Sequence, residues 1–178
     1  MVLNMSDNFK IGIEIEKKYI IEKPDVAALC GMDGYFASEI LQIYLQGDEG
    51  VTHRIRRRRA GDVVTYTETK KIRIDKMSST EIEGEITEPR FLELSLTQKA
   101  GTRPINKIRH AFFYLGQLFE IDVYPEWENT AIMETELADR DVVVAFPECI
   151  RILRDVTGDK SYSNAALSHS FPKEDAII

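Results

Sequence analysis

Ile11-Gly12-Ile13-Glu14-Ile15-Glu16-Lys17-Lys18 alternates apolar and charged residues with a period of two. Successive side chains of a strand point to opposite faces, so the isoleucines share one face while Glu14, Glu16 and Lys18 share the other. The same alternation recurs along the chain. Arg54 and Arg56 flank Ile55, and Glu81, Glu83 and Glu85 alternate with Ile82. Lys107 and Arg109 flank Ile108, Glu120 and Asp122 flank Ile121, and Glu134 and Glu136 flank Thr135. Lys70 lies on the strand that follows the arginine pair. A sheet with one solvated face is the ordinary meaning of alternation. Here, however, the charges come in doublets and triplets sorted by sign, and like charges side by side repel unless opposite charge lies between them. A closed antiparallel barrel with a charged interior, its apolar faces outside and covered by helices, resolves that repulsion. Its lumen would suit divalent cations together with a polyanion, because hard cations take carboxylate oxygens and arginine forks take phosphate oxygens in pairs.

The local signals give an α+β chain dominated by strands. Pro24 opens a short helix over Asp25 to Met32, and strands follow over Ile40 to Gln46 and Val51 to Arg59. Ala60-Gly61-Asp62 turns the chain into Val63 to Ile74, and a further strand covers Thr80 to Thr87. Thr87 caps a helix that starts at Glu88-Pro89 and runs to near Gly101. Ile105 to Tyr114 and Gln117 to Tyr124 form a hairpin about Leu115-Gly116, and Thr130 to Leu137 is another strand. Asp139 to Ala145 reads as a short helix, Cys149 to Val156 as helix or strand, and Ser168 to Ile178 as a loose tail after a single domain over 1–167.

The chain has 178 residues, one domain's worth, with 43% hydrophobic and 30% charged residues. Its net charge of −7 argues against a non-specific nucleic-acid binder. No apolar run approaches the ~20 residues of a membrane helix. Met1 to Lys10 lacks the apolar stretch of a secretory signal, so a cytoplasmic location is expected. Cys30 and Cys149 lack CxxC spacing and read as buried reduced thiols, and His53, His110 and His169 have no zinc-site spacing.

Glu14-Ile15-Glu16-Lys17-Lys18 is an ExExK pattern, and its followers come in order. They are Arg54-Ile55-Arg56, Thr69-Lys70, Glu81-Ile82-Glu83, Lys107-Ile108-Arg109, Glu120-Ile121-Asp122, Glu134-Thr135-Glu136 and Val156-Thr157-Gly158-Asp159-Lys160-Ser161-Tyr162-Ser163-Asn164. Over residues 11–167 this resembles the CYTH superfamily of triphosphate tunnel metalloenzymes, and its small bacterial inorganic triphosphatase branch in particular. The resemblance implies a closed eight-stranded antiparallel barrel that binds a linear triphosphate with Mg²⁺ or Mn²⁺. It implies phosphate contacts from Lys18, Arg54, Arg56, Lys70, Lys107, Arg109 and Lys160. It implies a metal-binding set drawn from Glu14, Glu16, Glu81, Glu83, Glu120, Asp122, Glu134 and Glu136, and a direct part in catalysis for Lys18, Glu83 and Lys160. The expected activity is metal-dependent hydrolysis of inorganic triphosphate by a monomer or homodimer, with nucleoside triphosphates as slower substrates. A class IV adenylate cyclase, a thiamine triphosphatase and a non-catalytic polyphosphate or nucleotide binder are the alternatives. Ser79 stands where the family often has arginine, with Arg73 as a nearby substitute.

Overall fold

The structure, a computed structural model, describes residues 9–177, so the expected domain start at residue 1 and the last residue of the expected tail lie outside the described residues. Strands β1 (Lys10–Glu22), β2 (Asp33–Tyr44), β3 (Val51–Ala60), β4 (Val63–Arg73), β5 (Ser78–Glu85), β6 (Ile105–Tyr114), β7 (Gln117–Val123), β8 (Thr130–Glu136) and β9 (Ile152–Asp155) form one antiparallel sheet. Helices α1 (Val26–Cys30), α2 (Glu88–Ser95) and α3 (Asn164–His169) complete it. The long β1 closes the sheet by taking two partners. Lys10 to Ile15 pair with β5, and Glu16 to Glu22 pair with β8. The ring β1-β5-β4-β3-β2-β6-β7-β8 is thereby an eight-stranded barrel, and β9 pairs with Tyr19 to Ile21 on the edge of β1 that β5 leaves bare. Closure removes free strand edges.

The turns follow the expected chemistry. Tyr114 pairs with Gln117 across Leu115 (φ 50°) and Gly116 (φ 78°), a two-residue turn with both central residues left-handed. The helix after Thr87 is shorter than expected. Its Thr87 hydroxyl accepts from Arg90 N, but the helix stops at Ser95 because Gln46 N and Lys99 N then bond Thr97 O and Tyr44 O, tying the segment to the end of β2. No helix forms over Asp139 to Ala145. That segment is a loop whose Arg140 bonds Asp75 and Ser78. Cys149 to Val156 resolves as β9, and Cys30 and Cys149 are exposed rather than buried.

The wall separates three apolar clusters. Outside β1, β6, β7 and β8, Tyr19, Ile21, Phe112, Phe119, Ile121 and Met133 pack under Leu29 of α1 and Phe146. Outside β2 and β3, Ile43 and Ile55 meet Phe91 and Leu94 of α2. The helices are too short to cover the rest. Ile11, Ile13, Ile72 and Ile74 on β1, β4 and the residue after it stay 74%, 68%, 44% and 55% exposed, which corrects the expectation of a fully covered outer face. At one end of the barrel the inward rows themselves turn apolar. Ile20, Tyr44, Ile105, Tyr124 and Ile132 join Trp127, Val156, Tyr162, Leu167 and Ile177 there. The expected loose tail is therefore packed: Phe171 lies edge-on to Tyr124 and Trp127, Trp127 Nε1 donates to Pro172 O, and Glu174 accepts from Glu128 N, Asn129 N and Thr130 Oγ1. Among the described residues no helix is long and apolar enough to cross a membrane.

Phe119 is fully buried between Phe112 and Phe146. Phe119→Ala should cost ~3–5 kcal/mol in chemical denaturation, whereas Ile13→Thr, on the bare part of the wall, should change stability by less than about 0.5 kcal/mol. Equal costs at the two positions would contradict the assignment of covered and bare faces.

Candidate active site

The inward residues line a cavity of about 840 Å³ inside the barrel. β1 contributes Glu14, Glu16 and Lys18, β3 Arg54, Arg56 and Arg58, and β5 Ser79, Glu81 and Glu83. Arg109 enters from β6, Glu120 from β7, and Glu134 and Glu136 from β8. Lys160, exposed, lines the cavity from the loop after β9. The fold thus brings together most of the expected side chains.

Three do not stand where expected. Lys70 lies opposite His53 on the outer face and is exposed. Thr69 faces inward, so its same-face neighbour on β4 is Lys71, and Lys71 takes the position assigned to Lys70. The literal spacing Thr69-Lys70-Lys71, checked against the parity of Thr69, could have found it. Lys107 and Asp122 point inward but beneath the cavity. Lys107 Nζ lies 2.5 Å from Asp122 Oδ2, with side-chain exposures of 0% and 1%, and 3.4 Å from Asn164 Oδ1. They close the charged section against the apolar end and do not line its cavity. Arg58, next in the inward row of β3 after Arg54 and Arg56, also lines the cavity and donates to Ser38 Oγ at 3.1 Å. Arg73 pairs across the strands with Ser79 and lines the cavity beside it. It donates to Asp75 O, Lys76 O and Gly158 O, tying the β4–β5 turn to the loop after β9.

Within the cavity, carboxylates are neutralised by tethered cations. Lys18 Nζ lies 2.7 Å from Glu134 Oε1. Arg109 forks onto Asp122 through Nε and Nη2 at 2.6 and 2.7 Å, reaches Glu134 at 3.1 Å and also bonds Glu120. Burial alone would lower the Lys18 ammonium, but the Glu134 and Glu16 carboxylates outweigh it and hold its pKa above the usual lysine value. Burial likewise opposes ionisation of Glu134, yet Lys18 and Arg109 hold it well below the usual carboxylate range. Lys107 is the opposite case. Burial pushes it down to about 7 despite Asp122. Among the described residues no three acidic, histidine or cysteine side chains are gathered as a metal cage. Carboxylates are instead drawn onto neighbouring ammonium and guanidinium groups.

Compensation is incomplete, and the gaps are informative. Among the described residues three buried side-chain atoms have no hydrogen-bond partner: Arg54 Nε, Thr67 Oγ1 and Glu81 Oε1. The first is a donor without an acceptor. Arg54 Nη2 stands 3.6 and 3.9 Å from Glu81 and Glu83, while Thr69 Oγ1 donates to Glu83 Oε2 at 2.5 Å. Among the described residues the hydrogen-bond partner of Arg56 is the neutral Gln42 Oε1, at 3.2 and 3.4 Å. Burial, then the Arg54 and Arg109 guanidiniums, push Arg56 down to about 10, the mark of a cation short of anionic company. Glu81 Oε1 shows the reverse lack. Lys71 Nζ is 2.8 Å away, but out of line for a hydrogen bond, so the contact is Coulombic. Burial pushes the nearby Glu14 up to about 7, with Lys71 opposing the rise and Glu81 adding to it.

No family model and no curated relative matches the chain. Among solved structures, the inorganic triphosphatase NE1496 is 28% identical over 89% of this chain and 96% of its own, with a TM-score of 0.56. The PH1819 protein from Pyrococcus horikoshii OT3 shares the fold at 23% identity and a TM-score of 0.55, over 72% of this chain and 80% of its own. In its barrel and in the order of its charged rows the chain resembles the CYTH superfamily. The barrel carries the expected charged rows, with Lys71 in place of Lys70 and with a serine, Ser79, buried at the position where that family often has arginine.

The raised Glu14 pKa fixes a sign. The folded protein binds this proton more tightly than the unfolded chain, so the associated stabilisation is complete below about pH 4.5 and is lost as pH rises through about 7. Glu14→Gln removes the ionisation. In chelator, its melting temperature relative to wild type should rise between about pH 5 and pH 8. A constant difference would place Glu14 in an ordinary solvated environment, and a falling one would mean that the fold favours its ionised form.

Proposed function

We propose that this CYTH-like barrel hydrolyses the terminal phosphoanhydride of linear triphosphates, inorganic triphosphate foremost, with Mg²⁺ or Mn²⁺. The observation that carries the reading is the inward-facing, partly buried Arg54–Arg56 pair, one guanidinium with an unpartnered Nε and the other bonded to an amide oxygen. Such a pair inside a closed wall calls for a multiply charged oxyanion, and guanidinium forks match phosphate oxygens. The 28% identity to the inorganic triphosphatase NE1496 over nearly the whole length supports the same substrate class.

Arg54, Arg56 and Arg109 would grip and align the phosphate chain, while Lys160, exposed at the rim, would bind its outer end. Positioning and charge neutralisation are most of what phosphoryl transfer requires of a protein. The carboxylate set fits a hard divalent ion in chemistry, since it is all oxygen and includes a buried oxygen with no aligned donor, Glu81 Oε1. Glu14, Glu16, Glu81, Glu134 and Glu136 would hold such ions, with Glu83 and Glu120 beside them. When bound, a divalent ion neutralises charge on the phosphate oxygens and makes a coordinated water more acidic. Lys18 would keep Glu134 ionised and oriented, and Glu83, held by Thr69 and near Arg54, would orient the pocket around the reacting phosphate.

Purified protein incubated with inorganic triphosphate, thiamine triphosphate or ATP, each with Mg²⁺ or Mn²⁺, should release phosphate fastest from inorganic triphosphate. Cyclic AMP and pyrophosphate from ATP as the main products would overturn the reading. Arg54→Ala should raise KM for inorganic triphosphate at least tenfold, about 1.4 kcal/mol of binding. An unchanged KM would remove Arg54 from the substrate site.

A further inference from the structure

The Glu14, Glu16 and Glu81 carboxylates converge from β1 and β5 onto one ammonium brought by β4. Lys71 Nζ lies 3.0 Å from Glu14 Oε2, 2.8 Å from Glu81 Oε1 and 3.9 Å from Glu16 Oε2. The arrangement is electrostatically deep. Although burial works against it, the three carboxylates raise the pKa of Lys71 above the usual lysine value. It is also directionally poor. The nearest carboxylate oxygen, Glu81 Oε1, belongs to a residue only 7% exposed, yet receives no aligned hydrogen bond. A buried oxygen that is in ion-pair contact with an ammonium but lies off its hydrogen-bond directions suits a spherical cation better than an ammonium. Glu81 also ties this seat to the anion-hungry side of the lumen, through Arg54 Nη2 at 3.6 Å from its Oε2.

We propose that Lys71 is a displaceable internal cation. Its ammonium holds the Glu14–Glu16–Glu81 seat in the free protein and yields it to a divalent ion when a polyphosphate offers the ammonium a new anionic partner. Metal and polyphosphate therefore bind cooperatively. The inference rests on the reading that the tunnel takes both. A divalent ion cannot share the seat with an ammonium at ion-pair distance, because the two cations repel. The four-carbon stem of lysine lets its head group move while β4 stays fixed. By linkage, whatever factor the polyphosphate contributes to metal affinity, the metal returns to polyphosphate affinity.

The test is calorimetric titration of metal-free protein with Mn²⁺, first without any phosphate compound and then with inorganic triphosphate. Lys71→Met removes the charge and keeps the stem. It should bind Mn²⁺ alone at least tenfold more tightly than wild type, while Lys71→Arg and the outer-face control Lys70→Met should not. Thermal unfolding establishes that each variant is folded, and Lys71→Gln replaces Lys71→Met if the latter is not. Equal or weaker Mn²⁺ binding by the charge-removed variant overturns the proposal. If wild type nonetheless turns over triphosphate with Mn²⁺, the functional reading survives that result. If no form binds Mn²⁺ with or without triphosphate, the metal-dependent reading fails and the proposal with it.

Discussion

Charge compensation inside a closed wall governs this structure. Rolling the sheet shut turns Glu14, Glu16, Lys18, Arg54, Arg56, Lys71, Glu81, Arg109 and Glu134 toward one axis, where water cannot solvate each of them fully. Removing one partner of such a pair leaves an uncompensated buried charge, which is strongly destabilising. The barrel therefore depends on cross-strand pairs such as Lys18–Glu134 and Arg109–Asp122 as much as on its apolar clusters. The same pairs leave a residue of unmet demand. Arg54 Nε lacks an acceptor, Arg56 bonds an amide oxygen in place of a carboxylate, and the Glu81 oxygen lacks an aligned donor. A lumen almost neutralised from within, with its remaining deficits of opposite sign side by side, is prepared for a ligand that carries both signs.

The interior is also graded along its axis. On β1 the single inward row reads Glu14, Glu16, Lys18 and then Ile20, so charge gives way to a core shared with Tyr124, Trp127 and Leu167. The Lys107–Asp122 pair stands at that boundary, fully buried beneath the arginine cluster. The last residues of the chain complete the apolar end through Phe171 and Ile177. Those residues thus serve the site indirectly, by anchoring the end of the barrel on which the charged section rests.

Period-two alternation made the barrel legible in the sequence, because a one-residue error of phase would turn every isoleucine of a strand into the charged lumen and its charges outward. It placed the charged rows of β1, β3, β5, β6, β7 and β8 on the correct face. It went wrong on β4, where Val63 to Arg73 carries polar residues on both faces and Lys70 and Lys71 are adjacent, so the phase rests on Thr69, which pairs with Glu83 and Arg54. Depth was not legible either. Lys107 and Arg109 are equivalent by parity, and their different roles come from the register that sets Asp122 opposite Arg109 and from Asn164, which arrives from the far end of the chain. The 139–145 loop and the packed C-terminal residues escaped local reading for a similar reason. Their order comes from Asp75, Ser78, Trp127 and Asn129, all distant in sequence.

An anomalous difference map from crystals grown with Mn²⁺ and inorganic triphosphate addresses the central claim most directly. Charge compensation handed over to ligand requires manganese peaks inside the barrel among the glutamate oxygens. It also requires phosphate oxygens on Arg54 and Arg56, with the Lys71 ammonium moved off Glu14 and Glu81. Manganese and phosphate bound only on the outer surface, with the internal ion pairs intact, would contradict it.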